Sequence, residues 1–151
     1  MSFELFVGTF EHTLDDKGRI VLPAKFRSHF ADGGYLSPGE GFISLRTSSQ
    51  FEDMFEDMKE ARRGVESKGE TSRALADRAR AFGAGSVAFQ PDAQGRVTLP
   101  AQLQKEFCLE REVLLVGAFD FLQIYSPSAW RAVEPENAAA LAEAFSQGFG
   151  I

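Results

Sequence analysis

Residues 15–24 read "DDKGRIVLPA", and residues 92–101 read "DAQGRVTLPA". An internal repeat of this kind decides the fold. Upstream of the first copy, Phe10, His12 and Leu14 recur at period two, and Thr9, Glu11 and Thr13 fill the alternate positions. That alternation predicts a half-buried strand. The three residues Asp16, Lys17 and Gly18 then predict a tight loop, with Gly18 in the left-handed position. Arg19 to Leu22 form the return strand, so Asp15 and Arg19 close the hairpin. This register sets Leu14 opposite Ile20 and His12 opposite Leu22. It gathers Phe10, His12, Leu14, Ile20 and Leu22 on one face, with Thr13, Asp15, Arg19 and Val21 on the other. The second copy obeys the same register. Asp92 meets Arg96 across a turn that contains Gly95. Val87, Phe89, Pro91, Val97 and Leu99 make the apolar face, with Pro91 at a position that needs no ladder donor.

The repeat extends beyond the turns. Proline suits the start of a helix, so "PAKFRSHF" from Pro23 and "PAQLQKEF" from Pro100 predict short helices. Phe26 and Phe30, like Leu103 and Phe107, recur there at helical spacing. A second strand pair follows in each half, then "TSSQF" and "SPSAW", whose hydroxyl residues open further helices. Between the halves, Phe51, Met54, Phe55 and Met58 form a helical stripe that fits a core or subunit-facing seam, with Gly64 and Gly69 dividing the run into two helices. An alanine-rich helix with Leu141 and Phe145 on one side ends the chain. The expected organisation is a first half over 1–50, a helical connector over 51–83, and a second half with the terminal helix over 84–151.

Composition narrows the function. The chain has 151 residues, 44% hydrophobic and 25% charged, which fits a folded protein rather than a disordered one. No apolar run approaches the roughly 20 residues of a spanning helix, and the N-terminus lacks the pattern of a signal peptide. The single cysteine, Cys108, is expected as a small core residue in a reducing compartment. His12 is expected at the edge of the core and His29 on a helix surface. Neither has a ligand-spaced partner, and no nucleophile–base set or phosphate loop is visible. The expectation is therefore no catalytic site, no metal, no cofactor and no small-molecule substrate.

The net charge is −6, which by itself repels nucleic acid. Its distribution is uneven. Cations and anions number five against six over 1–50, seven against eight over 51–80, and four against eight over 81–151. Lys17, Arg19, Lys25 and Arg27 all fall within eleven residues. The first repeat is thus a basic spot, whereas the second carries Gln94, Gln102 and Gln104 where the first has Lys17, Lys25 and Arg27.

Two readings of the Asp–Arg pairs stand side by side. In one, each is a cross-strand ion pair that fixes a turn, worth about 0–1 kcal/mol when exposed. In the other, Asp15 and Asp92 brace Arg19 and Arg96 so that each planar guanidinium can meet a phosphate or a base edge. The two roles are compatible.

"GTFEHTLDDKGRIVLPAKFR", with its degenerate copy "DAQGRVTLPAQLQKEF" and the later "GAFDFLQIYSPSAW", resembles the MraZ family of tandem AbrB-like bacterial regulators. The resemblance covers nearly the whole chain. It implies an α+β fold of two pseudo-symmetric, swapped-hairpin halves that form a β-barrel-like core, with helices between the halves and at the C-terminus. It implies a ring-shaped homo-oligomer in the cytoplasm, associated with the nucleoid. Such a ring would bind short direct repeats of double-stranded DNA upstream of its own operon, the division and cell-wall cluster, and regulate transcription there. The family's DNA-contacting Arg maps onto Arg19 and Arg96, with Lys17, Lys25 and Arg27 as further contacts, and Asp15, Gly18, Asp92 and Gly95 as the brace. The first copy is expected to dominate binding, because affinity for DNA comes largely from neutralised phosphates. A second reading is an AbrB-like protein-interaction module, antitoxin or scaffold, with little DNA affinity.

Overall fold

The computed structural model describes residues 5–68 and 72–148. The first half holds strand β1 (Thr9–Thr13), strand β2 (Arg19–Val21), a 3-10 helix (Ala24–Phe30), and strands β3 (Gly34–Pro38) and β4 (Ile43–Thr47). Helices α1 (Ser48–Lys68) and α2 (Ser72–Gly85) follow. The second half repeats the order: β5 (Val87–Phe89), β6 (Arg96–Thr98), α3 (Ala101–Glu106), β7 (Glu112–Gly117), β8 (Leu122–Tyr125) and α4 (Pro127–Ser146). The fold is α+β.

The strands pair across the halves. A six-stranded antiparallel sheet runs β1-β7-β8-β4-β3-β5, and a separate ribbon joins β2 to β6. This corrects the simple hairpin register: Leu14 does not oppose Ile20, nor His12 Leu22. The turn closes only its first pair, with the Asp15 N–H donating to the Arg19 carbonyl at 3.0 Å. Beyond it the strands part. His12 pairs with Val113, and Ile20 with Val97. The Leu14 N–H donates to the Arg111 carbonyl at 2.7 Å, so its ladder partner comes from the other half. The physical reason is burial. An isolated two-stranded hairpin is marginal in water, whereas exchange places β1 and β5 in a six-stranded sheet. The swapped-hairpin arrangement implied by the family resemblance is the one observed.

The predicted faces survive the change of partner. Ile20, Leu22, Val97 and Leu99 of the ribbon are enclosed with Leu36, Ile43, Leu45, Leu115, Leu122 and Ile124 of the sheet in one core, and Phe6, Phe26 and Phe30 fill its side. Truncating Ile20 to Ala there would cost about 2–5 kcal/mol. Val87 departs from the pattern: on the edge strand β5 it is exposed. Helix α1 opens on a capping box, in which the Gln50 N–H donates to Thr47 Oγ1 and the Thr47 N–H to Gln50 Oε1. Helix α4 opens on Ser126, which accepts from the Ala129 N–H at 3.1 Å.

Three expectations are corrected. Gly64 lies inside α1 rather than breaking it, because neighbouring helix formers carry the turn across one glycine. Gly69 falls outside the described residues. Cys108 is exposed, not core. Helix α3 ends in a Schellman motif, with the Leu109 N–H donating to the Gln104 carbonyl at 2.8 Å and the Cys108 N–H to the Lys105 carbonyl at 3.2 Å. Cys108 therefore takes the left-handed position (φ 54°), and Leu109 enters the core instead. His29 is half-buried rather than on the surface, edge-on to the Phe6 ring at 5.4 Å.

Candidate nucleic-acid interface

Each turn is organised by its aspartate. Oδ1 of Asp15 accepts from the N–H groups of Lys17 and Arg19, both at 2.9 Å, and Oδ2 accepts from Arg19 Nε at 2.7 Å. Asp92 repeats the pattern with the N–H groups of Gln94 and Arg96 at 2.9 and 2.8 Å, and Arg96 Nε at 2.6 Å. These donors hold both carboxyls below the usual 3.8, the Arg N–H acting most strongly and outweighing the opposing effect of lost solvation. Gly18 (φ 71°) and Gly95 (φ 77°) occupy the left-handed position that the loop requires. In each pair the aspartate engages Nε, leaving the two terminal guanidinium nitrogens available for a bidentate acceptor.

The ribbon brings the two arginines together. Arg19 is level with Thr98, and Arg96 with Val21. Because side chains alternate, these four share the outer face while Ile20 and Val97 point into the core. Arg19 and Arg96 are diagonal neighbours, a relation that spaces residues about 7–8 Å apart. Val21 between them is 40% exposed.

The halves also interlock around the turns. The Leu22 N–H donates to the Gly95 carbonyl at 2.8 Å, and the Leu99 N–H to the Gly18 carbonyl at 2.9 Å. Arg27 Nε donates to the Leu22 carbonyl at 3.0 Å, and Gln104 Nε2 to the Leu99 carbonyl at 2.7 Å. A methyl group on Gly95 would collide with the Arg27 side chain, and one on Gly18 with Gln104. The exchange therefore carries Arg27, written in the first repeat, to the turn of the second. One end of the ribbon holds Lys17 and Arg19 beside Gln104, and the other holds Arg96 beside Arg27. Lys25 lies apart, over the rings of Phe10 at 4.6 Å and Phe26 at 5.2 Å.

Sequence reasoning missed Thr98 and Gln104. Thr98 comes level with Arg19 only because β2 and β6 pair, and Gln104 supports a turn 86 positions away. The signal for the latter was present: Arg27 and Gln104 are equivalent in the repeat, so whatever one supports, the other supports in mirror fashion. His12 is half-buried, and burial lowers its pKa. Among the described residues no His, Cys, Asp and Glu side chains cluster as a metal site would need, and no helix is long and apolar enough to cross a membrane.

Two exchanged hairpins that share a core and present braced arginines on one ribbon define a tandem AbrB-like protein. Comparison with known proteins makes this specific. The family described as "MraZ protein, putative antitoxin-like" matches residues 5–64 and 82–150. The transcriptional regulator MraZ of Kocuria rhizophila is 36% identical over 140 residues, covering 92% of this chain and 93% of its own length. That of Paenarthrobacter aurescens is 39% identical over 140 residues, with the same coverage. That of Nocardia farcinica is 34% identical over 147 residues, covering 97% and 98%. The chain belongs to the MraZ family, a family of transcriptional regulators rather than of enzymes.

Proposed function

We propose that this protein regulates transcription by binding double-stranded DNA through the outer face of the β2–β6 ribbon. One observation carries the reading: two aspartate-braced arginines stand as neighbours on the outer face of a two-stranded ribbon. A β-ribbon fits the major groove, and Arg pairs bidentately with guanine there. A diagonal of about 7–8 Å matches roughly two base-pair steps. Lys17 and Arg27 supply phosphate contacts at opposite ends, while Val21 offers methyl groups to a thymine between the arginines. The brace fixes each guanidinium before DNA arrives, so less side-chain freedom is lost on binding.

The net charge of −6 keeps the affinity of one subunit modest. A ring-shaped homo-oligomer on short direct repeats would raise it through effective concentration. On the family likeness, the repeats lie upstream of the protein's own operon in the division and cell-wall cluster, and the protein works in the cytoplasm at the nucleoid. The test is titration of the DNA upstream of its own gene, followed by fluorescence anisotropy at several salt concentrations. Specific binding that weakens steeply with salt is expected. Binding no tighter to that DNA than to a scrambled duplex would overturn the proposal and leave the protein-interaction reading in its place.

A further inference from the structure

We infer that Thr98 and Val21 give the ribbon a direction on its DNA: the Thr98 hydroxyl reads a base edge at the Arg19 end, and the Val21 methyls read one at the Arg96 end. The inference deepens the function proposed above and rests on it.

The ribbon is nearly symmetric. Ile20 pairs with Val97, and this pair is flanked by Arg19 with Thr98 on one side and by Val21 with Arg96 on the other. A twofold axis through the central pair exchanges each residue with the one 77 positions away, so Arg19 takes the place of Arg96 and Val21 that of Thr98. The interlock obeys the same axis. The Leu22 N–H donates to the Gly95 carbonyl at 2.8 Å, as the Leu99 N–H does to that of Gly18 at 2.9 Å. Arg27 Nε donates to the Leu22 carbonyl at 3.0 Å, as Gln104 Nε2 does to that of Leu99 at 2.7 Å. A perfectly symmetric face would accept a stretch of base pairs equally well in either direction.

The groups at the turns break the symmetry in charge. Asp16 and Lys17 of the first turn stand where the second has Ala93 and Gln94. Arg27 lies against Gly95, whereas Gln104 lies against Gly18. Phosphate contacts, however, carry no sequence information directly. The two antiparallel strands of a duplex present the same backbone whichever way round the protein sits. Charges at the turns therefore set affinity and its dependence on salt. Direction needs a difference at the base edges.

Along the outer face of the ribbon that difference is Thr98 against Val21, and both are exposed. Both side chains are β-branched and stiff, so the two ends offer the groove much the same shape. They differ by a hydroxyl in place of a methyl, which is not a neutral exchange. Among the described residues the Thr98 hydroxyl makes no hydrogen bond, so it is uncommitted before DNA arrives. It both donates and accepts, and so suits a purine N7 or O6, or the amino group of adenine or cytosine. Val21 can do neither and suits the thymine methyl. Each is level with an arginine of the other strand, so a bidentate contact from Arg19 or Arg96 anchors the row in which it is presented. Turning the protein round would set the hydroxyl against a methyl and the valine against a polar base edge. A polar group enclosed without a partner is costly, and this penalty selects one direction.

The test uses the full chain and a short duplex that holds one site, mapped by footprinting the DNA upstream of its own gene. The chain has one cysteine, the exposed Cys108. Cys108→Ser with Gln94→Cys moves the thiol to the exposed second turn, where an attached iron–EDTA group cuts the DNA flank nearest that end. In this background the cut is expected to favour one flank by about tenfold, because one hydrogen bond and one methyl contact change partners on reversal. Adding Val21→Thr makes the two ends alike, so both flanks should be cut about equally. Adding Val21→Thr and Thr98→Val together should move the cut to the opposite flank. Both positions face solvent, so the fold is kept, and an unchanged circular dichroism spectrum checks this. A doubly exchanged chain that cuts the original flank, or that no longer binds the site, overturns the inference. So does an unexchanged chain that cuts both flanks equally. A parent that binds the upstream DNA no tighter than a scrambled duplex would instead sink the ribbon reading, and this one with it.

Discussion

The two turns, Asp15–Arg19 and Asp92–Arg96, differ in charge far more than in shape. Both aspartates accept the same three hydrogen bonds at distances within 0.1 Å of each other. Along the sequence, however, one turn sits among Lys17, Lys25 and Arg27 and the other among glutamines. The fold redistributes those charges. By carrying Arg27 beneath Gly95 and Gln104 beneath Gly18, it leaves a cation beside each arginine. Local sequence therefore overstates the inequality of the two ends, and the expectation that the first copy dominates binding needs a direct comparison.

The largest effect should come from removing both probes. Arg19→Ala with Arg96→Ala is expected to abolish specific binding, each bidentate contact being worth about 1–3 kcal/mol. Measured singly in anisotropy titrations, losses within a factor of about three of each other would support two equal ends; a loss confined to Arg19→Ala would restore the dominance of the first copy. The glycines test the interlock. Gly18→Ala and Gly95→Ala combine positive φ with a collision against the other half, and each should cost about 1–3 kcal/mol in urea denaturation. If both were neutral, the interlocked packing would be wrong.

A smaller effect locates Arg27. Arg27→Gln should lower the slope of log affinity against log salt by roughly 0.9, and Lys17→Gln likewise. In double-mutant cycles Arg27 should couple to Arg96 by about 0.5 kcal/mol and be additive with Arg19. Coupling to Arg19 instead would return Arg27 to its own repeat. The smallest effect concerns acid. Asp15 and Asp92 have folded pKa values below 3.8, so the unfolded chain binds protons more readily. Their contribution is complete above the unfolded value and is lost as pH falls through the folded one. Asp15→Asn with Asp92→Asn should therefore flatten the fall in melting temperature between pH 5 and about 3. A fall as steep as in the parent would remove the brace as its cause.

Much of the candidate site was legible because it is local. A carboxylate four residues before an arginine, with glycine between them, encodes a turn wherever it occurs. Period-two alternation likewise placed Arg19 and Val21 outside and Ile20 inside, and this holds with any partner strand. What was illegible was pairing. Thr98 joined the face, and Gln104 the turn, only through contacts between distant residues. Cys108 was misplaced because helical spacing continues through "FCL", whereas the backbone stops at a left-handed residue that need not be glycine.

By itself the sequence determined the repeat, the braced turns, the inward and outward faces and the helix starts, since each follows from steric and hydrogen-bonding preferences within a few residues. Tertiary structure alone decided that β1 joins β7 and β2 joins β6, that the two arginines become neighbours, and that Arg27 serves the opposite turn. A backbone donor is satisfied by any strand in register. The choice among such strands falls to whichever pairing removes the most apolar surface from water, and that quantity belongs to the whole chain.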